Sequence, residues 1–297
     1  MMCPVLSQTA AQLPVQRLCV LANMARSTYY RLRTPESREK NPQNEQLRHE
    51  LHKVCTEFSS YGYRRATKEL RRRGLSVGFK RIRSLMNKEH LSCRRKKRWI
   101  GTTNSQHGYR IYPNLAAQMV VDRPNQLWVA DITYVRLRYA FVYLAVILDA
   151  FSRRAVGWAL SHHIDTQLAL AALQQALQTR VVSPGLVHHS DRGVQYASGE
   201  YVSLLLSKNI AISMSRKGYP YDNAKAESFM KTLKTEEVSI TEYESFSEAQ
   251  QNIGHFIEVV YNHKRLHSAL GYLPPAEFEA DYFNNPSTLT RHITVPM

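Results

Sequence analysis

Apolar positions along the chain change their period near residue 124. Before it they recur at three or four residues, the spacing of one helical face. Leu13, Arg17, Leu18 and Leu21 open this region, and Asn23 interrupts them before a second basic helix starts near Ala25. Leu47, Leu51, Val54 and Phe58 predict a long amphipathic helix, followed by one from Arg64 to Arg73 that Gly74 closes in a left-handed cap. Ser76 is placed to cap a third helix from Phe79 to Leu91, with Ile82, Leu85 and Met86 inward and Lys80, Arg81, Arg83 and Lys88 outward. Helix, glycine turn and basic helix together make a helix-turn-helix-like pattern, the kind that reads a DNA groove, although a plain three-helix bundle has the same pattern.

After Pro124 the chain turns to β-rich runs at Gln126–Leu137, Tyr139–Leu148 and Ala155–Leu160. An amphipathic helix from Thr166 to Thr179 comes next, then a strand at Leu186–His189, a helix at Glu200–Lys208, a strand at Ile210–Ser213 and a helix at Asn223–Glu237. This order predicts an α/β fold, a mixed sheet flanked by helices, preceded by an all-helical basic region.

Charge sharpens the division. Residues 1–110 hold 24 basic and 7 acidic residues, a net of +17, whereas residues 111–297 are nearly neutral at −1. A basic module attached to a neutral one implies a polyanion partner, with DNA the leading candidate. The run Arg94, Arg95, Lys96, Lys97 and Arg98 extends the basic module as a tether for phosphates. The longest apolar run is about half of the ~20 residues a membrane span requires, so a cytoplasmic protein without a membrane partner is expected. Cys3, Cys19, Cys55 and Cys93 form no CxxC pair, which argues against a disulfide framework or a cysteine zinc knuckle.

Three acids stand in unusual places. Asp131 interrupts an apolar strand, where an unpaired carboxylate is costly. Asp191 follows the Leu186–His189 strand, at the edge where α/β sheets hold ligands. Glu227 lies on the last predicted helix, with Lys231 and Lys234 on its face. If these acids converge, their hard oxygens suit Mg²⁺ or Mn²⁺, with two ions expected, of the kind that promote in-line phosphoryl displacement. Singly, each acid also reads as a structural group. Arg192, Arg216 and Lys217 add cations in the loops around them. Asp149 reads as a turn former, His189 as a neighbour of the acids or a structural histidine, and Asp222 or Asn223 as the cap of the Glu227 helix.

The strings Trp128–Tyr134, His189–Tyr196 and Asp222–Phe229, with 35 residues between Asp191 and Glu227, resemble the DDE motif of transposases with a retroviral-integrase-like core, in the DD35E class. The tail from Tyr261 to Tyr272, then Pro274, is similar to that of the OrfB product of insertion-sequence-three elements, and Tyr61–Arg65 resembles the helix-turn-helix-like domain of that group.

The resemblance implies an RNase H-like core that cuts element ends and joins the freed 3′-hydroxyl to another strand. Asp131, Asp191 and Glu227 would then be catalytic and hold the metal. Lys231, Lys234, Arg192, Arg216, Lys217, Arg64, Arg65, Lys80, Arg81 and residues 94–98 are the expected DNA contacts. It also implies assembly of more than one copy on DNA and an upstream OrfA-type partner. Unlike retroviral integrases, the chain gives His49, His52 and Cys55 no partner for a zinc site. The expected organisation is a short helical segment at 1–35, a helix-turn-helix-like domain at 44–92, a basic linker at 93–122, the core at 123–283 and a tail at 284–297. The open alternative is a catalytically silent DNA-binding regulator that uses the basic helices.

Overall fold

A computed structural model of the chain describes residues 14–33, 42–91, 108–216 and 219–284. It divides into two compact units, residues 1–92 and 93–297. The basic run 94–98 and Lys217 lie outside the described residues.

In the first unit, α1 (Val15–Leu21) and α2 (Arg26–Arg33) bury Leu18, Cys19 and Tyr29 together. Asn23 takes φ 48°, which explains the break between them. Helices α3 (Pro42–Glu57), α4 (Tyr63–Arg72) and α5 (Phe79–Lys88) follow. Of the positions the periodicity marks as inward, Leu47, Leu51, Val54, Phe58, Ile82 and Met86 are buried, whereas Leu85 is only half-buried; Leu70 of α4 joins the buried set. Gly74 has φ +86° and ends the turn after α4, a conformation that disfavours any side chain. Ser76 does not cap α5: the N-cap position is Gly78, with no side-chain bond.

The second unit is built on β1 (Leu127–Arg136), β2 (Phe141–Asp149), β3 (Ala155–Ser161), β4 (Val187–Ser190) and β5 (Ala211–Met214). The strand order is β3-β2-β1-β4-β5; the first three strands are antiparallel, and β4 and β5 run parallel to β1. Helix α6 (Thr166–Thr179) covers one face through Leu168, Ala172 and Leu173, against Trp128, Ala130 and Ile147. A Cβ on Gly157 would meet the Ala172 carbonyl at 2.2 Å, so only glycine admits α6 this close to β3. Short α7 (Val194–Ala197) and α8 (Gly199–Ser207) join that side.

The opposite face is covered by α9 (Ala224–Leu233) and α10 (Phe246–His255), whose Phe229, Leu233, Ile253 and Ile257 pack on Val129, Val135 and Val142. Both faces are therefore buried. The last helix does not continue as α to Glu237 as predicted: it widens into a π segment at Lys234–Val238, and α10 does the same at Phe256–Lys264. Helix α11 (Pro275–Asn284) closes the unit. Its Phe278 packs on Phe151, and its buried Glu279 accepts from Ser152 Oγ at 2.6 Å, Arg154 at 2.9 Å and Arg180 at 2.8 Å. Among the described residues no helix is long and apolar enough to cross a membrane.

Candidate active site

The sheet leaves a gap where Asp131 stands. Strand β4 pairs with β1 only from Leu127 to Val129 and ends at Ser190, so β1 beyond Val129 has an open edge on that side. Asp131 lies just past this point, partly buried, its Oδ1 accepting from the Ile132 N–H at 2.9 Å. Asp191 follows β4 directly, and its Oδ1 accepts from the Gly193 N–H at 2.9 Å, which shapes the turn into α7. Glu227 projects from the first turn of α9 and is exposed.

Electrostatics link the three. Burial first, then the carboxylate of Asp191, with a further contribution from Glu227, pushes Asp131 up to about 7; the Ile132 N–H and Lys234 oppose the rise. Burial also raises Glu227 above the usual carboxylate range. Among the described residues no group of three or more acid, histidine or cysteine side chains is gathered closely enough to hold a metal ion as the side chains stand. The arrangement is an open acidic face of hard oxygen donors. Such a donor set fits an ion that keeps waters and takes its remaining ligands from phosphate.

Helix α9 is fixed to this face by Asn223. Its side chain does not cap the helix as predicted, and Asp222 does not either, being engaged by Arg216. Asn223 Nδ2 instead donates to the Ala130 carbonyl at 3.0 Å, in the buried interior. Backbone groups alternate between the two edges of a strand. Leu127 accepts from Ala150 of the β2 side and Gln126 from Val187 of β4, so the Ala130 carbonyl faces the side that β4 has vacated. Asn223 thus takes the place of a missing ladder partner one residue before Asp131 and four before Glu227.

Around the acids, Lys234 Nζ lies 4.4 Å from the centroid of the Tyr134 ring and is attracted by Asp131, while burial lowers its pKa. Lys231 is exposed on α9. Arg192 Nε donates to the Ser215 carbonyl at 2.8 Å, and Arg216 forms a two-pronged pair with Asp222 at 2.9 and 3.0 Å, which holds the Asp222 carboxyl down to about 2. Both arginines therefore brace the loop after β5. His189 is fully buried between Ser213 Oγ at 2.8 Å and Ser215 Oγ at 3.0 Å, a structural histidine. Asp149 accepts from the Asn125, Phe151 and Ser152 N–H groups, which bears out its reading as a turn former. In the first unit, Arg64, Lys80 and Arg81 are exposed, Arg65 lies 5.7 Å from the Tyr61 ring, and Arg81 also bonds Asn44.

The tail residues, given no role from sequence, are staples. Asn262 bonds both the N–H and the carbonyl of Ala155, at 2.9 and 3.0 Å. Arg265 makes a buried fork to Glu236, both contacts at 2.7 Å, and so ties the end of the α10 π segment to the one that begins at Lys234. Glu236 and Glu279 carried no local signal, since each finds its arginine only after folding.

Family models and relatives place the chain among polynucleotidyl transferases of the integrase-core class. Residues 121–220 and 208–275 match models described as integrase core domain, and residues 42–99 one described as HTH-like domain. The 31 kDa protein of insertion element IS600 from Shigella sonnei is 38% identical over 268 residues, covering 89% of this chain and 98% of its own length. The transposase of insertion sequence IS904 from Lactococcus lactis is 40% identical over 220 residues, or 74% of this chain and 87% of its own. Transposase InsF of IS3A from Escherichia coli K12 is 33% identical over 275 residues, 91% and 95% respectively. Among solved structures, a chain of the simian T-cell lymphotropic virus intasome is 18% identical with a TM-score of 0.46, covering 77% of this chain and 74% of that one. The HTLV-2 integrase catalytic core in complex with magnesium is 16% identical with a TM-score of 0.41, covering 53% and 97%. The chain belongs to the transposases of IS3-family insertion sequences, enzymes of DNA transposition and integration.

Proposed function

We propose that this transposase cuts DNA at the ends of its element and joins the freed 3′ ends to target DNA, with Asp131, Asp191 and Glu227 as its catalytic carboxylates. The observation that carries the reading is placement: Asp131 at the open edge of β1, Asp191 directly after β4 and Glu227 in the first turn of α9. The three side chains would hold Mg²⁺ or Mn²⁺, two ions in the working site, and the bound metal supplies Lewis acidity for in-line phosphoryl displacement. Water attacks the scissile phosphorus in the first step and the 3′-oxygen leaves as a hydroxyl; in the second, that hydroxyl attacks a target phosphorus and displaces the target's own 3′-oxygen.

Lys234, beside Asp131, and Lys231 hold the strand near the acids by its phosphates. Arg192 and Arg216 serve the DNA through the loop they brace. The helix-turn-helix-like unit binds element ends through Arg64, Arg65, Lys80 and Arg81, continued by residues 94–98; Lys217 adds a contact in the loop. Two ends are held by at least two copies, together with an OrfA-type product. The proposed organisation keeps the helix-turn-helix-like domain at 44–92 and the core at 123–283. The silent-regulator alternative has no support, since relatives across nearly the full length are named transposases.

The test is cleavage of end DNA with Mg²⁺. Asp191→Asn and Glu227→Gln remove an anionic oxygen while keeping shape, and each is expected to lower cleavage by at least about 100-fold, the scale on which charge stabilisation operates in such sites. Full activity in either variant would falsify the assignment.

A further inference from the structure

The hairpin joining β1 to β2 carries aromatic side chains in solvent, where a fold has no use for them. Phe141 is 53% exposed and Tyr139 is 84% exposed. They are not scattered: the Phe141 ring meets Tyr134 edge-on at 5.7 Å, and the Arg138 guanidinium lies 5.3 Å from the Tyr139 ring. Lys234 completes the series over Tyr134. Two cation–ring contacts, Lys234 on Tyr134 and Arg138 on Tyr139, therefore flank the Tyr134–Phe141 ring pair along the hairpin.

The strip is rigid. Leu137 N–H bonds the Ala140 carbonyl at 2.8 Å to close the turn, the Arg138 N–H bonds the Tyr243 carbonyl at 2.9 Å, and Arg138 forks onto Glu244 at 2.7 and 2.9 Å. It is also continuous with the acids. Alternation along β1 puts Asp131 and Tyr134 on opposite faces, yet Lys234 senses Asp131 and covers Tyr134.

We propose that Tyr134, Phe141 and Tyr139 form a stacking platform for unpaired nucleobases of the DNA strand that leaves the carboxylates. Exposed rings flanked by cations are the chemistry of single-strand binding, in which bases stack on π faces and phosphates meet positive groups. A duplex offers no free base faces except at its end, so the platform selects ends that are frayed or bear an overhang. The inference rests on the proposed site, since it takes the strand from there.

The test uses the full chain with Ca²⁺ in place of Mg²⁺ and two DNA probes of equal duplex length, one blunt and one with a single-stranded overhang, each carrying 2-aminopurine in its terminal segment. Wild type should bind the overhang more tightly than the blunt end and quench its fluorophore. Tyr139→Ala and Phe141→Ala should weaken overhang binding by roughly 5- to 100-fold and abolish the quench, leave blunt-end affinity within about twofold, and leave the melting temperature unchanged; Phe141→Trp should restore the quench. Unchanged overhang binding in the alanine variants overturns the platform, as does an equal loss on both probes, or a concentration-dependent self-association that the alanine variants remove. Asp191→Asn separates the two readings: it should cut nothing yet keep the overhang preference. Active Asp191→Asn with quench lost in Phe141→Ala would sink the catalytic assignment and keep the platform.

Discussion

The fork between Arg265 and Glu236 has a calculable cost of removal. Their side chains are only 4% and 12% exposed, and both contacts are 2.7 Å long. Glu236→Ala would take both carboxylate contacts from a buried guanidinium, beside which His267 Nε2 stands at 3.4 Å. Breaking one partner of such a buried pair typically costs ~3–5 kcal/mol, because the remaining charge stays desolvated. Urea unfolding of the second unit, followed by Trp128 and Trp158 fluorescence, should shift its midpoint down by about 1.5–2.5 M at a typical slope of ~2 kcal/mol per M. The comparison is internal. Arg138 also pairs with a carboxylate, its Nη1 contacting both oxygens of Glu244, but with side chains 47% and 57% exposed, and Glu244→Ala should leave the midpoint unchanged.

Replacing both members of the buried pair, Glu236→Met with Arg265→Leu, should recover most of the loss. Because Glu236 lies two residues beyond Lys234 in one π segment, the single variant should also cut more slowly than its residual stability accounts for, at temperatures where it is folded. Equal midpoints for Glu236→Ala and Glu244→Ala would refute the reasoning, since burial would then make no difference.

Asn223→Ala removes the donor to the Ala130 carbonyl, and an orphaned buried carbonyl costs ~1–3 kcal/mol; cleavage should fall while binding of DNA through the first unit persists, and normal cleavage with unchanged stability would end the positioning role. His188, enclosed and bonded to Tyr201 Oη at 2.9 Å, is held down to about 3 by burial first and by His189 second. Its folded pKa lies below the unfolded value of ~6.5, so its contribution is complete above that pH and declines on acidification by ~1.4 kcal/mol per unit, about 2 kcal/mol at pH 5. A His188→Gln variant should lose this slope between pH 6.5 and 4 in equilibrium unfolding, and a parallel slope in both proteins would count against it.

The core was legible in the sequence because local pattern and final environment agree. Thr166–Thr179 is helical with the bounds its leucines imply, and Asp131, Asp191 and Glu227 fall on the strand, strand end and helix their neighbours imply. What escaped depended on partners distant in the chain. Asn223 looks like a cap until β4 is seen to stop short, and nothing near Arg265 announces a carboxylate 29 residues earlier. The π segment at Lys234 was also hidden, because a 3.6-residue period and a widened turn carry the same apolar spacing over so few residues.

An unpaired strand edge ordinarily invites addition of a foreign strand, the first step toward aggregation. Where β4 ends, the carbonyl that would accept such a guest is already occupied by a side-chain amide, and the flank beyond it carries a lysine. The interruption in the sheet thus offers an incoming strand no free acceptor at Ala130 and sets a cation close by, so the same side chain that positions α9 also guards the edge.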